Sequence, residues 1–129
     1  MEFDRNKVLI VEDEAPLRFG LARCIERAGY IPLQAGDGPT ALEMVSQHMP
    51  GLVILDVMMH GMSGIEVCRK LREDQNTSEI KIMFLSARGQ VREQTEGLEA
   101  GGDYYMTKPF EYKKLLQVLE DLLAERKPD

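Results

Sequence analysis

The chain has 129 residues, the commonest size for one domain, and its 43% hydrophobic and 29% charged content is that of an ordinary soluble globular protein read as a single domain over residues 1–129. No apolar stretch approaches the roughly 20 residues needed to cross a bilayer, which excludes a membrane span. Acids outnumber bases 22 to 16, and the net charge of -6 opposes the phosphate backbone of nucleic acid, so direct nucleic acid binding is not expected.

The start, Met1 to Lys7, is charged and lacks the apolar core of a secretory signal, so the expected location is cytoplasmic. The first apolar run, near Lys7 to Val11, predicts a strand. Glu12-Asp13-Glu14-Ala15 then leads to a helix opening at Pro16, where proline suits the first turn. Leu17, Leu21, Cys24, Ile25 and Ala28 recur at spacings of three and four and give one apolar stripe, and Gly29 ends the helix in a left-handed cap. A second strand covers Ile31 to Ala35. The turn Gly36-Asp37-Gly38-Pro39 precedes a helix carrying Ala41, Leu42 and Val45, and Pro50 and Gly51 are expected to break the chain before the third strand.

That third strand, Leu52 to Leu55, is apolar at every position, as a strand buried on both faces should be, and belongs in the middle of the sheet. After a loop from Val57 to Met62, Ser63 with Glu66 three residues later forms a capping box, so Ser63 is read as a helix cap and not as a nucleophile. The helix continues through Val67, Cys68 and Leu71. A fourth strand spans Lys81 to Leu85. The helix after it, about Arg92 to Ala100, is weakly apolar, with only Val91, Leu98 and Ala100 expected to face inward, and weak burial implies easier movement. The fifth strand lies near Asp103 to Thr107. The last helix, about Glu111 to Arg126, carries the stripe Leu115, Leu116, Leu119, Leu122 and Leu123, and Lys127 to Asp129 read as a frayed tail. Cys24 and Cys68 sit in no Cys-x-x-Cys or Cys/His spacing and are read as small apolar helix residues. Strands alternating with helices point to an α/β fold, a parallel sheet covered on both faces.

In such a sheet the carboxyl ends of the strands share one edge. Glu12 and Asp13, Asp56, Ser86 and Lys108 each follow an apolar run, so these acids, hydroxyl and ammonium converge on one crevice. Clustered carboxylates repel unless a cation or proton neutralises them. A hard divalent ion is the simplest occupant, and Mg2+ typically joins one or two carboxylates to phosphate oxygens, which suits the crevice to phosphoryl chemistry. Taken alone, Glu12 and Asp13 also read as an exposed acidic turn. Asp56 tilts the balance, because it closes a fully apolar strand. Lys108 can pair with a carboxylate at rest and bind a phosphoryl oxygen when one arrives, and a cis Lys108-Pro109 bond would aim it back into the crevice. The Ser86 hydroxyl is a donor able to contact a phosphoryl oxygen, with a plain strand-end hydroxyl as its alternative. Core packing is the default for Tyr105.

The segments Val8-Leu9-Ile10-Val11-Glu12-Asp13-Glu14, Leu55-Asp56-Val57-Met58-Met59 with Gly61-Met62-Ser63-Gly64, Leu85-Ser86-Ala87, Gly101-Gly102-Asp103-Tyr104-Tyr105 and Lys108-Pro109-Phe110 together resemble the receiver domain of two-component response regulators, of the chemotaxis-regulator type, over nearly the whole chain. The resemblance implies a doubly wound, flavodoxin-like sheet of five parallel strands in order 2-1-3-4-5 with five helices. It implies that Asp56 is the phosphoacceptor, taking its phosphoryl group from a phosphohistidine of a sensor histidine kinase or histidine phosphotransfer protein. Glu12 and Asp13 resemble the acids that hold Mg2+, assisted by Asp56 and the backbone carbonyl of Met58. Ser86 and Lys108 resemble the groups that grip the phosphoryl oxygens, and Tyr105 resembles the aromatic switch that follows the hydroxyl.

The resemblance further implies an output surface on the fourth helix, fifth strand and last helix. That surface would engage an output protein or output domain, or a second copy upon phosphorylation. Three departures stand out: His60 where the family often has Pro, Ser86 where Thr is more usual, and Glu12 where Asp is frequent. Arg88 is expected either to affect the lifetime of the acyl phosphate, by contacting the phosphoryl group or obstructing incoming water, or to be a solvated arginine with no such role. No output segment is read after the last helix, which leaves a stand-alone receiver or a piece of a longer regulator. Among competing readings, a haloacid-dehalogenase-like phosphohydrolase needs a second acid two residues after its nucleophile, and position 58 is Met. A pseudo-receiver that only binds proteins would have lost an acid or the lysine, and none is lost. The expected role is therefore a regulator and not a turnover enzyme.

Overall fold

The computed structural model describes residues 2–126 and Pro128; of the tail read as frayed, Lys127 and Asp129 lie outside the described residues. The elements run β1 (Asp4–Val11), α1 (Ala15–Arg27), β2 (Ile31–Ala35), α2 (Gly38–His48), β3 (Pro50–Asp56), α3 (Gly64–Glu73), β4 (Lys81–Ser86), α4 (Val91–Glu99), β5 (Tyr104–Thr107) and α5 (Tyr112–Leu123). All strand pairings are parallel and the order is β2-β1-β3-β4-β5, the flavodoxin-like α/β arrangement expected.

Successive side chains on a strand point to opposite faces, and that alternation sorts the helices. Val8, Ile10, Leu52, Ile54, Met83 and Leu85 pack with Leu21 and Ile25 of α1 and Leu115, Leu119 and Leu122 of α5. Leu9, Val11, Val53, Leu55, Ile82 and Phe84 pack with Ala41 and Val45 of α2 and Val67, Cys68 and Leu71 of α3. Every residue of the central strand β3 is buried. Each fully buried Leu, Ile or Phe contributes about 1.5–3 kcal/mol of transfer free energy, so the sheet is a rigid platform for what stands on its edge. No helix among the described residues is long and apolar enough to cross a membrane.

Caps follow local chemistry. The Asp37 carboxylate accepts from Thr40 N–H at 2.8 Å, so Gly38 and Pro39, read as turn residues, form the first turn of α2 instead. Ser63 Oγ accepts from Glu66 N–H at 3.2 Å, as the capping box predicts. Gly29, at φ +99°, supplies the left-handed exit from α1. On α1, Ala28 is exposed and Ala22 is buried in its place.

Three other expectations are corrected. Pro50 and Gly51 do not break the chain before β3; they are its first residues. Proline is tolerated at the first position of a strand, and Gly51 is needed because a Cβ there would sit 2.9 Å from Arg5 Cα across the β1 pairing. The break falls at Met49, in the left-handed region at φ 46°. On α4, Val91 and Leu98 do not face inward: they are 80% and 47% exposed. The buried position is Gly97, whose missing side chain lets the helix settle on the rings of Tyr105 and Phe84. Ala100 does pack against the core. The last helix ends at Leu123, short of the expected Arg126; Leu116 is half-buried and Val118 is a buried member that the stripe omitted.

Candidate functional site

Strand register decides which residues meet. Val11 pairs with Leu55, Asp56 with Leu85, and Ser86 with Thr107, so Glu12, Asp56, Ser86 and Lys108 leave the sheet along one edge. The start of α3 is pressed onto the same edge: Gly64 N–H donates to Val57 O at 3.0 Å, and a Cβ at Gly64 would overlap the Asp56 carbonyl. Glycine here lets a helix begin directly behind the residue that closes β3.

Glu12, Asp13 and Asp56 each present a carboxylate oxygen within 4.8 Å of the others. Glu12 and Asp56 are buried and Asp13 is half-buried. Lys108, preceding a cis bond to Pro109, places its Nζ 2.9 Å from Glu12 Oε1 and 3.5 Å from Asp56 Oδ2. Met58 N–H donates to Asp56 Oδ1 at 3.1 Å. A cleft of about 400 Å³ opens over these groups, lined by Asp13, Asp56, Met58, His60 and Lys108.

The electrostatics show a surplus of negative charge. Burial, reinforced by the neighbouring Glu12, pushes the Asp56 carboxyl up to about 7, against the opposing pull of Lys108 and the Met58 N–H. Burial would lower Lys108, but Glu12 and Asp56 outweigh it and hold the ammonium above the ordinary lysine range. Burial would also raise Asp13, and hydrogen bonds from the ring and backbone of His60 outweigh it to hold that carboxyl below its usual value. Three hard oxygen donors facing one ammonium fit a divalent cation, whose charge would offset both the burial and the neighbouring Glu12 that raise Asp56.

Ser86 stands beside this cluster and not over the cleft. It is fully buried, and its Oγ accepts from Arg88 N–H at 3.1 Å. Tyr105 O–H donates to the carbonyl of the same Arg88 at 2.6 Å, while its ring packs on Phe84 with centroids 5.9 Å apart. Tyr105 is therefore a core residue with a polar tip on the β4–α4 loop. The Arg88 side chain lines the adjacent groove between α3 and α4 with Met58 and Met59.

One participant escaped the sequence. His60 stands in the sequence only as a departure from the family's proline, yet its N–H and Nδ1 both meet Asp13 Oδ2, at 3.3 and 3.0 Å. The legible signal was the absence of proline, which leaves a backbone donor where the loop passes the acids. Cys68 is buried and Cys24 half-buried, and both are free.

The sequence matches the response regulator receiver domain family over residues 8–120. It is 47% identical over 109 residues to an uncharacterized transcriptional regulatory protein, YrkP, of Bacillus subtilis (strain 168), covering 84% of this chain and 46% of that one. It is 40% identical to the phosphate regulon transcriptional regulatory protein PhoB of Pseudomonas aeruginosa, covering 94% of this chain and 53% of that protein. The chain thus spans about half the length of the curated relatives it matches. Among solved structures, the chemotaxis protein CheY4 of Vibrio cholerae superposes with a TM-score of 0.85 at 28% identity, covering 91% of this chain and 98% of that one. Receiver domains of two-component response regulators are signalling modules, and a phosphoacceptor switch is their general function. The fold, its strand order and these matches agree, and the chain belongs to the response regulator receiver domain family.

Proposed function

We propose that this domain accepts a phosphoryl group on Asp56 from a phosphohistidine of a sensor histidine kinase or histidine phosphotransfer protein. The observation that carries the reading is the convergence of Glu12, Asp13, Asp56 and Lys108 on one cleft, with a carboxylate at the end of the central strand. A carboxylate oxygen of Asp56 attacks phosphorus; the P–O bond forms as the P–N bond breaks, and the departing imidazole nitrogen takes up a proton. Phosphoryl transfer needs alignment and charge neutralisation more than covalent help. The Met58 N–H fixes the carboxylate by holding Oδ1. Lys108, already 3.5 Å from Oδ2, meets the incoming oxygens.

Glu12, Asp13, Asp56 and the Met58 carbonyl would hold Mg2+, which when bound offsets the charge of the carboxylates and phosphoryl oxygens. Ser86 grips a phosphoryl oxygen once its hydroxyl leaves Arg88 N–H. That movement releases one fastening of the β4–α4 loop, and Tyr105, already buried and bonded to the Arg88 carbonyl, shifts with it. Phosphorylation adds about -1.5 to -2 charge, enough to bias a two-state surface. The surface is α4, β5 and α5, where Val91 and Leu98 are exposed. It docks an output protein or output domain, or a second copy of the domain, and an unchanged mass by light scattering after phosphorylation would exclude the second copy. Any contact with nucleic acid belongs to such a partner, since this chain carries a net charge of -6. Arg88 affects the lifetime of the acyl phosphate by contacting the phosphoryl group or obstructing incoming water, and equal dephosphorylation rates in the native chain and Arg88→Ala would remove it from that role.

The deciding experiment is intact-mass measurement after incubation with acetyl phosphate and Mg2+. One adduct of about 80 Da on the native chain and none on Asp56→Asn is expected. A native chain that gains no adduct refutes the assignment.

A further inference from the structure

The groove between α3 and α4, about 400 Å³ in volume, holds an acceptor whose need is unmet. Its walls carry Met58, Met59, Arg69, Arg88 and Glu93. Glu93 Oε2 is buried and accepts no hydrogen bond among the described residues. A buried carboxylate oxygen without a donor keeps the full cost of its lost hydration, so this position calls for a cationic donor. Its own helix does not provide one: Glu93 is the third residue of α4, where a capping box would bond it to the Gln90 N–H, and that bond is not made. Arg69 and Arg88 line the same groove, and neither guanidinium is paired among the described residues.

Tyr105 brings Arg88 and Glu93 to the borders of one ring. Its O–H donates to the Arg88 carbonyl at 2.6 Å, and a Cβ at Gly97 would lie 2.9 Å from its Cδ2. Glu93 stands one turn before Gly97 on the same face of α4. Arg88 is exposed, so its long side chain can swing toward the buried oxygen without moving the helix. It also has a second destination. Its neighbour Ala87 lines the cleft over Asp56, and Met58 lines both cleft and groove, so the two spaces meet beside Arg88.

We propose that Glu93 is a positioning residue that competes with the acyl phosphate for the Arg88 guanidinium. This rests on the reading of Asp56 as phosphoacceptor and of Arg88 as a residue that affects the lifetime of its acyl phosphate. Turned into the groove, Arg88 gives the buried Glu93 oxygen its donor and leaves the phosphoryl group without that cation. Turned past Met58 into the cleft, it faces the phosphoryl oxygens. Glu93 thereby sets the share of time that Arg88 spends beside the acyl phosphate. Arg69, carried on α3, is the rival donor for the same oxygen.

The test is a double-mutant cycle on the full chain. Native protein, Glu93→Gln, Arg88→Ala and the double variant are phosphorylated with acetyl phosphate and Mg2+, and loss of the phosphoryl mass is followed after the donor is removed. Glu93→Gln keeps the shape of the side chain and removes its charge. It should change the dephosphorylation rate by about two- to fivefold, the scale of one exposed ion pair, in the direction opposite to Arg88→Ala. The double variant should decay at the Arg88→Ala rate, because Glu93 acts only through that arginine. Added KCl should shrink the gap between native and Glu93→Gln, since it screens the pair. In an Arg69→Ala background the glutamine substitution should keep its full effect. An equal effect of Glu93→Gln with and without Arg88 overturns the proposal, as does no effect in the native background. An effect that disappears in Arg69→Ala and persists in Arg88→Ala also overturns it, and assigns the oxygen to Arg69. A native chain that never gains the phosphoryl mass refutes the phosphoacceptor reading itself, and this inference with it.

Discussion

Lys108 is held closer to Glu12 than to Asp56, 2.9 Å against 3.5 Å. Glu12 is the more buried carboxylate; its Oε2 accepts the N–H of Glu14 at 3.2 Å, and the ammonium is the cation paired with its Oε1. Lys108 thus compensates Glu12 first and Asp56 second. This leaves Asp56 to be governed by burial and by whatever cation arrives.

Removing that ammonium leaves two buried carboxylates facing each other. Lys108→Ala is expected to lower the stability of the metal-free protein by about 1–3 kcal/mol, below the figure for a fully buried pair because the lysine is partly exposed. Urea unfolding in a chelator measures it. Excess Mg2+ should narrow the gap between variant and native protein, since the ion binds only the folded site. A gap that stays constant with Mg2+ would show that the lysine does not share the charge of that site.

The raised Asp56 carboxyl has a stability signature of defined sign. Its folded pKa of about 7 lies above the ordinary value of 3.8, so between those values the folded state holds a proton that the unfolded chain has released. The contribution is complete below about pH 4 and is lost as pH rises through 7. Metal-free protein should therefore unfold at a lower temperature at pH 8 than at pH 5 through this group. Asp56→Asn, which carries no charge, should raise Tm at pH 8 by about 3–8 °C and have a smaller effect at pH 5. Circular dichroism melts at the two pH values decide it, and an Asn variant no more stable than native at pH 8 would contradict the electrostatic picture.

The fold was legible because its signals are periodic. Leu52 to Leu55 is apolar throughout and became the central strand; Ser63 with Glu66 is a local cap and formed as read. Convergence of the acids and Lys108 followed from the parallel-sheet rule, which needs only that each closes an apolar run. What escaped depends on contacts distant in sequence. Gly97 is the inward residue of α4 because the Tyr105 ring occupies the space a side chain would need, and no helical pattern scores a glycine as core. Pro50 and Gly51 join β3 because Arg5 lies against them across the sheet. His60 reaches an acid 47 positions earlier, through a loop whose path no spacing rule fixes.

Arg72 is another long-range element, and it supports the sheet away from the site. Its guanidinium donates to Gly101 O at 2.9 and 2.7 Å, to Ser78 O at 3.0 Å and to Ile80 O, and pairs with Asp103 Oδ2 at 3.0 Å. Asp103 Oδ2 in turn accepts from Ile82 N–H at the start of β4. Arg72→Ala strands several carbonyls and should cost about 2–4 kcal/mol by chemical denaturation. Lysine cannot reproduce the fork, so Arg72→Lys should recover less than half of the loss. Both variants should still gain the phosphoryl mass under folding conditions, since no contact of Arg72 reaches the cleft.

The β4–α4 loop is fastened at one residue from two sides: Ser86 Oγ accepts the Arg88 N–H, and Tyr105 O–H donates to the Arg88 carbonyl. A hydroxyl that moves to a phosphoryl oxygen releases the first fastening, and the second then decides how far the loop and the aromatic ring travel together. Tyr105→Phe keeps the ring packing on Phe84 and removes only the second fastening, at a cost of about 0.5–1.5 kcal/mol. Its acyl phosphate should form at the native rate, because Tyr105 touches none of the reacting groups. Backbone amides of 87–90 should lose hydrogen-exchange protection in the unphosphorylated variant, approaching the level of the phosphorylated native protein. If protection of those amides is unchanged, the Tyr105 hydroxyl does not restrain the loop, and the ring serves the core alone.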